Sequence, residues 1–317
     1  MNKKNIILII VLLAAVGVLL ISRSCESVEK RFEIFPFKAA DVGRIEIKDP
    51  NNIINLAHID NVWMVEHPIK TQAKESQVTR FFESFMTLTA STTFQSEAVS
   101  RREFYNVDST GVQVTLYDKT NKRIADVIVG RSQNNGAISY IRRASENYIY
   151  QIDNVQSIVN PSLNAWREDK ILNITENAIH KINFGKQKET YLLTQEDSNG
   201  WTLNLNEMSA PLGFQNQDLT RLLQAVVNLR TSTYFDNVYE DYAEKLANPE
   251  LEILIDTYTG QTFHLRVAKN DENSYVLQRN DEIVTLYRLT TAQFNSLNVD
   301  AEKLIPAGDN LPPEEFI

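Results

Sequence analysis

One amphipathic segment occurs twice in this chain, and this repetition constrains the fold more than any other feature. Residues 77–94 read QVTRFFESFMTLTASTTF, and residues 218–235, 141 positions later, read DLTRLLQAVVNLRTSTYF. Both stretches carry apolar residues at i, i+3, i+4, i+7 and i+10, which predicts a helix with one buried face. These residues are Val78, Phe81, Phe82, Phe85 and Leu88 in the first copy and Leu219, Leu222, Leu223, Val226 and Leu229 in the second.

The similarity continues on both sides of the helix. Three pairs of segments share a strand or hairpin pattern: 42–49 with 178–185, 111–130 with 249–267, and 139–152 with 274–289. The first pair alternates apolar and polar residues, as half-buried strands do, and each later pair predicts two strands around a polar turn. Trp63 and Trp201 occupy equivalent places. Each copy therefore predicts an antiparallel sheet with a helix on one face, an α+β fold.

The repeat also predicts the domain organisation. A period this long indicates a tandem domain duplication rather than a solenoid. The predicted segments are an N-terminal membrane anchor at 1–25, a connector at 26–37, a first repeat at 38–172, a second repeat at 173–306 and a loose tail at 307–317.

Composition narrows the class of protein. A hydrophobic content of 43% and a charged content of 23% are typical of a folded globular chain. The net charge of −9, without a basic stripe, argues against binding to nucleic acid. The single cysteine, Cys25, excludes an intramolecular disulfide.

The N-terminus predicts the location of the protein. An apolar run begins at Ile6, ends at Ile21 and contains no charged residue. As a helix it spans roughly 24 Å, somewhat less than a hydrocarbon core of about 30 Å. We interpret it as an uncleaved signal anchor that places the body on the extracytoplasmic side of the cytoplasmic membrane. Two alternatives remain, a lipoprotein anchored through Cys25 and a cleaved, soluble protein.

No pattern predicts catalysis, a metal site or a cofactor. The four histidines are scattered, without metal-ligand spacing, and we interpret them as structural or solvent-exposed; they are His58, His67, His180 and His264. No nucleophile elbow, phosphate loop or paired Cys/His signature is present. The sequence therefore predicts a protein that is not an enzyme.

One hairpin carries a candidate interface. Tyr140, Tyr148 and Tyr150 flank Arg142 and Arg143 on the hairpin predicted at 139–152. Tyrosine and arginine are favoured at protein interfaces, so these five residues are a candidate contact surface. The alternative is an ordinary sheet with alternating core and surface positions.

The order of these signals resembles a known family. It is carried by the Trp63 strand, the amphipathic helix, FYNVDSTGVQVTLYD at 104–118, ADVIVGRSQNNGAISYIRRASENYIYQI at 125–152 and WREDKIL at 166–172. Together they resemble the family catalogued as domain of unknown function 4340, most closely over residues 63–172. The resemblance implies a membrane-tethered or lipid-anchored bacterial envelope protein, often encoded beside ABC-transporter subunits and auxiliary proteins of the gliding-motility type. It implies no catalytic residues.

The expected function follows from the anchor, the repeat and the resemblance. We expect a non-enzymatic accessory subunit on the extracytoplasmic side of the membrane. Its expected partner is an ABC-transporter permease or auxiliary protein. The alternative is a freestanding envelope module that binds a glycan or peptide in the cleft between the repeats.

Overall fold

The structure is a computed structural model that describes residues 31–91, 95–96, 99–132, 136–186, 189–195, 200–213 and 215–305. The chain divides into two compact units, Met1–Arg167 and Glu168–Ile317. The division therefore falls before Glu168, whereas the repeat predicts it after Leu172. Residues 168–172, which the sequence assigned to the end of the first repeat, begin unit 2.

The predicted anchor lies outside the described residues, and so do Ile6, Ile21, Cys25 and the tail at 307–317. Within the ranges that the structure describes, no helix is both long enough and apolar enough to cross a bilayer.

Unit 1 is built around one large sheet. Its described strands are β1 (Arg31–Glu33), β2 (Val42–Lys48), β3 (Ile53–Ile59), β4 (Val62–His67), β5 (Thr71–Gln72), β6 (Thr89–Ser91), β7 (Gln95–Ser96), β8 (Val112–Asp118), β9 (Arg123–Val129), β10 (Ile138–Arg143) and β11 (Ile149–Asp153). Its described helices are α1 (Glu75–Arg80), continued by a π-helical turn at Phe81–Phe85, α2 (Arg101–Tyr105) and α3 (Leu163–Trp166), with a 3-10 turn at Ala39–Asp41. Nine strands form one sheet in the order β5-β4-β3-β2-β8-β9-β10-β11-β7, and β1 pairs with β6.

Unit 2 has a sheet of the same size. Its described strands are β12 (Ile179–Lys186), β13 (Thr190–Gln195), β14 (Trp201–Leu205), β15 (Met208–Leu212), β16 (Tyr234–Asp236), β17 (Leu251–Thr257), β18 (Thr262–Asp271), β19 (Ser274–Arg279) and β20 (Thr285–Thr290). Its described helices are α4 (Gln217–Val227), α5 (Ala243–Ala247), α6 (Thr291–Leu297) and α7 (Ala301–Leu304), with 3-10 turns at Glu176–Ala178 and Tyr239–Asp241. The strand order is β15-β14-β13-β12-β17-β18-β19-β20-β16.

The coarse fold prediction, antiparallel sheets accompanied by a few helices, is confirmed. Every strand pair in the described residues is antiparallel, and most pairs join strands that follow each other in the chain. The exceptions in the two large sheets are the edge pairs β11–β7 and β20–β16 and one central pair in each unit. The central pairs are β2–β8 and β12–β17, and each joins a four-stranded meander to the rest of its sheet.

Helix α4 follows the predicted apolar stripe closely. Asn216 caps its start, since its Oδ1 accepts a hydrogen bond from the Leu219 amide at 3.0 Å. All five predicted stripe residues of this copy are buried against the sheet.

The equivalent segment of unit 1 departs from a regular helix. α1 ends at Arg80, and the chain continues as a π-helical turn before β6 begins at Thr89. Val78, Phe81, Phe85 and Leu88 are buried, as the stripe predicts. The fifth stripe residue, Phe82, is only half-buried. A π-helical turn changes the angle between successive residues, so it rotates side chains away from the face that a 3.6-residue period predicts.

Both faces of each sheet are partly covered. The main core lies under α1 in unit 1 and under α4 in unit 2. On the opposite face, a small second cluster joins Tyr105 and Val107, at the end of α2, to β9–β11. In unit 2, Leu246 of α5 packs in the same way on β18–β20. Strands β9–β11 and β18–β20 are thus buried on both faces.

Candidate functional site

Unit 1 contains an open cavity with aromatic walls where α1 and its π-helical turn pass over β4. The cavity, here named the aromatic cavity, has a volume of about 510 Å³, and its apolar wall is formed by Val62, Trp63, Val78 and Phe82. The Trp63 ring centroid lies 5.4 Å from that of Phe82 and 5.3 Å from that of His58. The π-helical turn matters here, because it leaves the Phe82 ring at the surface instead of in the core.

The rim of the aromatic cavity is polar and acidic. It includes Asn61, Gln72, Glu75, Thr79 and Glu83, and among the residues that the structure describes no lysine or arginine lines the cavity. Neither glutamate carboxylate forms an ion pair or hydrogen bond with any other residue that the structure describes. Asn61 lies in the two-residue turn between β3 and β4 with φ of 65°, a left-handed conformation that asparagine tolerates.

The corresponding place in unit 2 is closed. Trp201 and Leu223, which correspond to Trp63 and Phe82, are only 3% and 2% exposed. β15 pairs with β14 along its whole length and places Leu212 opposite Trp201. In unit 1, β4 and β5 keep the same register, and the residue opposite Trp63 is Ala73, whose amide donates to the Trp63 carbonyl at 2.9 Å. The cavity is open because alanine lies opposite Trp63, where leucine lies opposite Trp201, and because Phe82 is turned out of the core.

This geometry suits binding of a small polar ligand. An indole face beside two carboxylates favours a positively charged amine, through cation–π attraction and charge pairing. The side-chain amides of Asn61 and Gln72 add both donors and acceptors, which suit hydroxyl groups. An apolar wall with a few converging polar groups is the usual composition of a ligand site.

The candidate interface on the 139–152 hairpin requires correction. Tyr140, Arg142 and Tyr150 are 5%, 6% and 6% exposed, so they cannot form a contact surface. The Arg142 Nε donates to the Val107 carbonyl at 2.8 Å, and its guanidinium also bonds to carbonyls of the following turn. Tyr148 is exposed, and Arg143 is half-buried. The second cluster under α2 covers the face of Tyr140 and Arg142, whereas Tyr150 points to the other face and belongs to the main core.

Arg143 belongs instead to a structural cluster that secures the start of unit 1. Its guanidinium donates to the Glu146 carboxylate at 3.1 Å and to the Ile34 carbonyl at 3.0 Å. Burial raises the pKa of Tyr150, and the negative charge of the nearby Glu146 carboxylate raises it further. We name Arg143, Glu146 and Tyr150 the Arg–Glu–Tyr cluster.

Unit 2 contains the same cluster at equivalent positions. The Arg279 guanidinium donates to the Glu282 carboxylate at 2.6 and 3.0 Å and to the Ile171 carbonyl at 2.6 Å. The Tyr287 hydroxyl donates to the other Glu282 oxygen at 2.8 Å, and burial raises its pKa. Ile171 corresponds to Ile34, because each donates its amide to the leucine that ends the amphipathic stripe, Leu229 and Leu88. In the sequence the cluster corresponds to Arg-x-x-Glu followed, four or five residues later, by tyrosine. This short pattern was not identified from the sequence.

The histidines do not converge. His58 packs beside Trp63, His180 beside Tyr258, and the His264 imidazole contacts the Glu252 carboxylate at 2.6 Å on the sheet face away from the main core. Over the described ranges, no group of three or more His, Cys, Asp or Glu side chains is placed to hold a metal ion.

Comparison with known proteins gave one match. A family model described as "Domain of unknown function (DUF4340)" matches residues 63–249. The matched stretch begins at Trp63 and includes most residues that line the aromatic cavity, the first Arg–Glu–Tyr cluster and helix α4. Neither the curated proteins nor the solved structures that were compared gave a match.

Proposed function

The chain belongs to the DUF4340 family, and on this premise we propose that it is a non-enzymatic accessory subunit of an ABC-type transport system. The apolar run from Ile6 to Ile21 anchors it in the cytoplasmic membrane, and its body faces the extracytoplasmic side. Its role is to scaffold or couple a permease or auxiliary protein of the gliding-motility type.

The observation that supports this proposal most is the apolar surface at the hairpin tips. Tyr148 lies at the tip of the β10–β11 hairpin, and Ile283 and Val284 lie at the tip of the equivalent β19–β20 hairpin. They are 37%, 60% and 47% exposed. Large apolar residues that are exposed at equivalent places in both units favour contact with another protein.

We also propose that the two units arose by tandem duplication. The two large sheets share one strand order, and their registers correspond. Arg143 pairs with Val127 as Arg279 pairs with Leu265, and each arginine belongs to an Arg–Glu–Tyr cluster.

Recovery of the protein complex tests the proposed function. We expect a mild-detergent pull-down of the full-length chain from native membranes to recover an ABC permease or auxiliary protein in stoichiometric amount, identified by mass spectrometry. The double variant Ile283→Asp/Val284→Asp should reduce that recovery by about tenfold or more, because a charged side chain cannot enter an apolar contact without desolvation. Ile53→Asp, also at an exposed apolar residue but in unit 1, is the matched control and should bind normally. Recovery of the chain alone, while other membrane complexes survive the same extraction, would contradict the proposal.

A second candidate function is ligand binding, which the aromatic cavity favours. The sequence placed a glycan or peptide site between the repeats, whereas the cavity lies inside unit 1. Its acidic rim and indole wall favour a ligand that carries amines, so we use a glucosamine tetramer and a trilysine peptide as probes. We expect one of them to bind with saturation in isothermal titration calorimetry, a readout that does not require a tryptophan.

The Trp63→Ala variant should weaken that binding by about tenfold or more, since it removes the aromatic wall. Trp63→Phe, which keeps a ring, should retain most of it. No saturable signal from either probe, or equal affinity in Trp63→Ala, would rule out this site for ligands of this class.

A further inference from the structure

A second cavity in unit 1 lies between the start of the unit and strand β9. We name it the β9 groove; its volume is about 570 Å³. Ile34 and Phe37 form one wall, and Ala125, Val127 and Ala144 belong to the other. Two alanines therefore lie where β9 meets the end of β10.

Strand pairing stops at this groove. The last register pair between β10 and β9 is Arg143 with Val127, followed by one hydrogen bond from the Ala144 amide to the Asp126 carbonyl at 2.9 Å. Among the described residues, no strand pairs with the first part of β9 on this side. A β-bulge at the β8–β9 pairing follows, between Leu116 and Tyr117. The start of β9 is thus an open strand edge beside an apolar pocket.

Unit 2 has a larger side chain at the position equivalent to the β9 groove. Ala125 pairs with Leu116 as Phe263 pairs with Ile255, so Phe263 is the residue that corresponds to Ala125. Phe263 packs against the main core of unit 2. A phenyl ring therefore fills in unit 2 the space that the alanine leaves open in unit 1.

The second alanine removes a hydrogen-bond acceptor. Ala144 corresponds to Asn280, because each directly follows the arginine of the Arg–Glu–Tyr cluster. The Asn280 amide donates to the His264 carbonyl at 2.8 Å, and its Oδ1 accepts from the His264 amide at 2.8 Å. The Ala144 amide makes the first of these bonds, to Asp126, but an alanine side chain offers no acceptor for the second.

We propose that the β9 groove binds an extended segment of a partner protein that lies beside β9 as an added strand. A peptide supplies both groups that unit 1 lacks: a backbone carbonyl for the Asp126 amide and a large side chain over Ala125. Strand addition of this kind gains affinity from main-chain hydrogen bonds and specificity from side-chain pockets. The identification of the partner rests on the proposed transport role, but the binding mode does not.

The size of a side chain, rather than its charge, selects among such segments. The groove is lined by two arginines, Arg123 and Arg143, and by one acid, Asp126. Arg123 contacts Asp126 at 3.1 Å, and Arg143 is shared between Glu146 and the Ile34 carbonyl. Each arginine is thus paired with a carboxylate, and the apolar walls favour a segment that places an aromatic or large apolar residue over Ala125.

The proposal is tested with a variant in which the residues found at the equivalent positions of unit 2 fill the β9 groove. The variant Ala125→Phe/Ala144→Asn introduces the Phe263 and Asn280 equivalents, so it should fold with unchanged or higher stability. Ala125→Ser/Ala144→Ser keeps the groove open and is the matched control. A random-peptide display library is panned on the full-length wild-type chain in detergent, and the selected peptides are then titrated against all three proteins.

We expect the selected peptides to carry an aromatic or large apolar residue. They should bind the filled variant about tenfold more weakly or worse, and the serine control normally. In the peptide complex, hydrogen exchange of the amides at 123–126 should slow, while those at 262–264 should not change. These amides report strand addition directly.

Two results would overturn the inference. One is equal binding of every selected peptide to the wild-type chain and the filled variant. The other is self-association of the wild-type chain that the filled variant abolishes, which would assign the groove to a second copy. Because the selection needs no transporter, it remains informative if the pull-down recovers no permease.

Discussion

Replacing Phe81 with alanine should reduce the free energy of unfolding of unit 1 by about 4 kcal/mol. The side chain is fully buried, and its ring lies 5.0 Å from Phe85, 5.6 Å from Phe82 and 5.8 Å from Trp166. Truncation removes these ring contacts and leaves a cavity that the surrounding sheet cannot close. Hydrogen exchange, measured by mass spectrometry at increasing urea concentrations, gives the loss of unfolding free energy for each unit separately.

The chain provides its own control in Leu222, which occupies the Phe81 position of the second stripe and is also fully buried. Leu222→Ala should reduce the stability of unit 2 by about 3 kcal/mol, since fewer buried atoms are lost. Each variant should accelerate exchange in its own unit. A loss of less than about 1 kcal/mol for Phe81→Ala would contradict the placement of this ring in the core.

The second large effect concerns the Arg–Glu–Tyr cluster. Arg279→Met should destabilise unit 2 by about 2 kcal/mol, because it removes charge-assisted hydrogen bonds and leaves the Ile171 carbonyl and one Glu282 oxygen without their donor. The methionine keeps much of the side-chain volume, so the loss reports the hydrogen bonds rather than a cavity. Urea denaturation followed by hydrogen exchange measures this loss of unfolding free energy in unit 2.

The double-mutant cycle with Glu282→Gln isolates the arginine–glutamate pair. We expect a coupling energy of about 1 kcal/mol or more, since both side chains are partly buried. The same cycle at Arg143 and Glu146 should give a smaller value, because the guanidinium there makes a single contact to the carboxylate. Additive effects in unit 2 would show that the cluster does not act as a unit.

Much of the fold was predictable because it follows from local periodicity. The stripe of α4 is buried as predicted, and the β8–β9 and β17–β18 hairpins form around their polar turns. In the first hairpin, Asp118 accepts hydrogen bonds from Thr120 and from the Lys122 amide, the turn chemistry that its sequence indicates. Such features depend on residues that are close in the sequence, so one sequence suffices to find them.

The candidate sites depend on features that local patterns do not contain. An alternating pattern predicts one buried and one exposed face for a strand. In β9–β11 both faces are buried, because α2 covers the second face and buries Tyr140 and Arg142. The aromatic cavity depends on Ala73, which lies opposite Trp63 in place of a leucine, and on the π-helical turn around Phe82. The β9 groove becomes visible only when the registers of the two sheets are compared, since Ala125 is not unusual by itself.

The central strand pairs of the two sheets, β2–β8 and β12–β17, affect the order in which each unit folds. Ile47 pairs with Val114 and Phe184 with Ile253, so each central pair closes a loop that contains the unit's amphipathic segment. Closing a long loop costs more chain entropy than forming a hairpin, and it slows folding. During synthesis, the β2–β5 meander emerges first, with the edge of β2 unpaired until β8 follows. The interval between these two strands is therefore the period in which unit 1 is most exposed to mispairing.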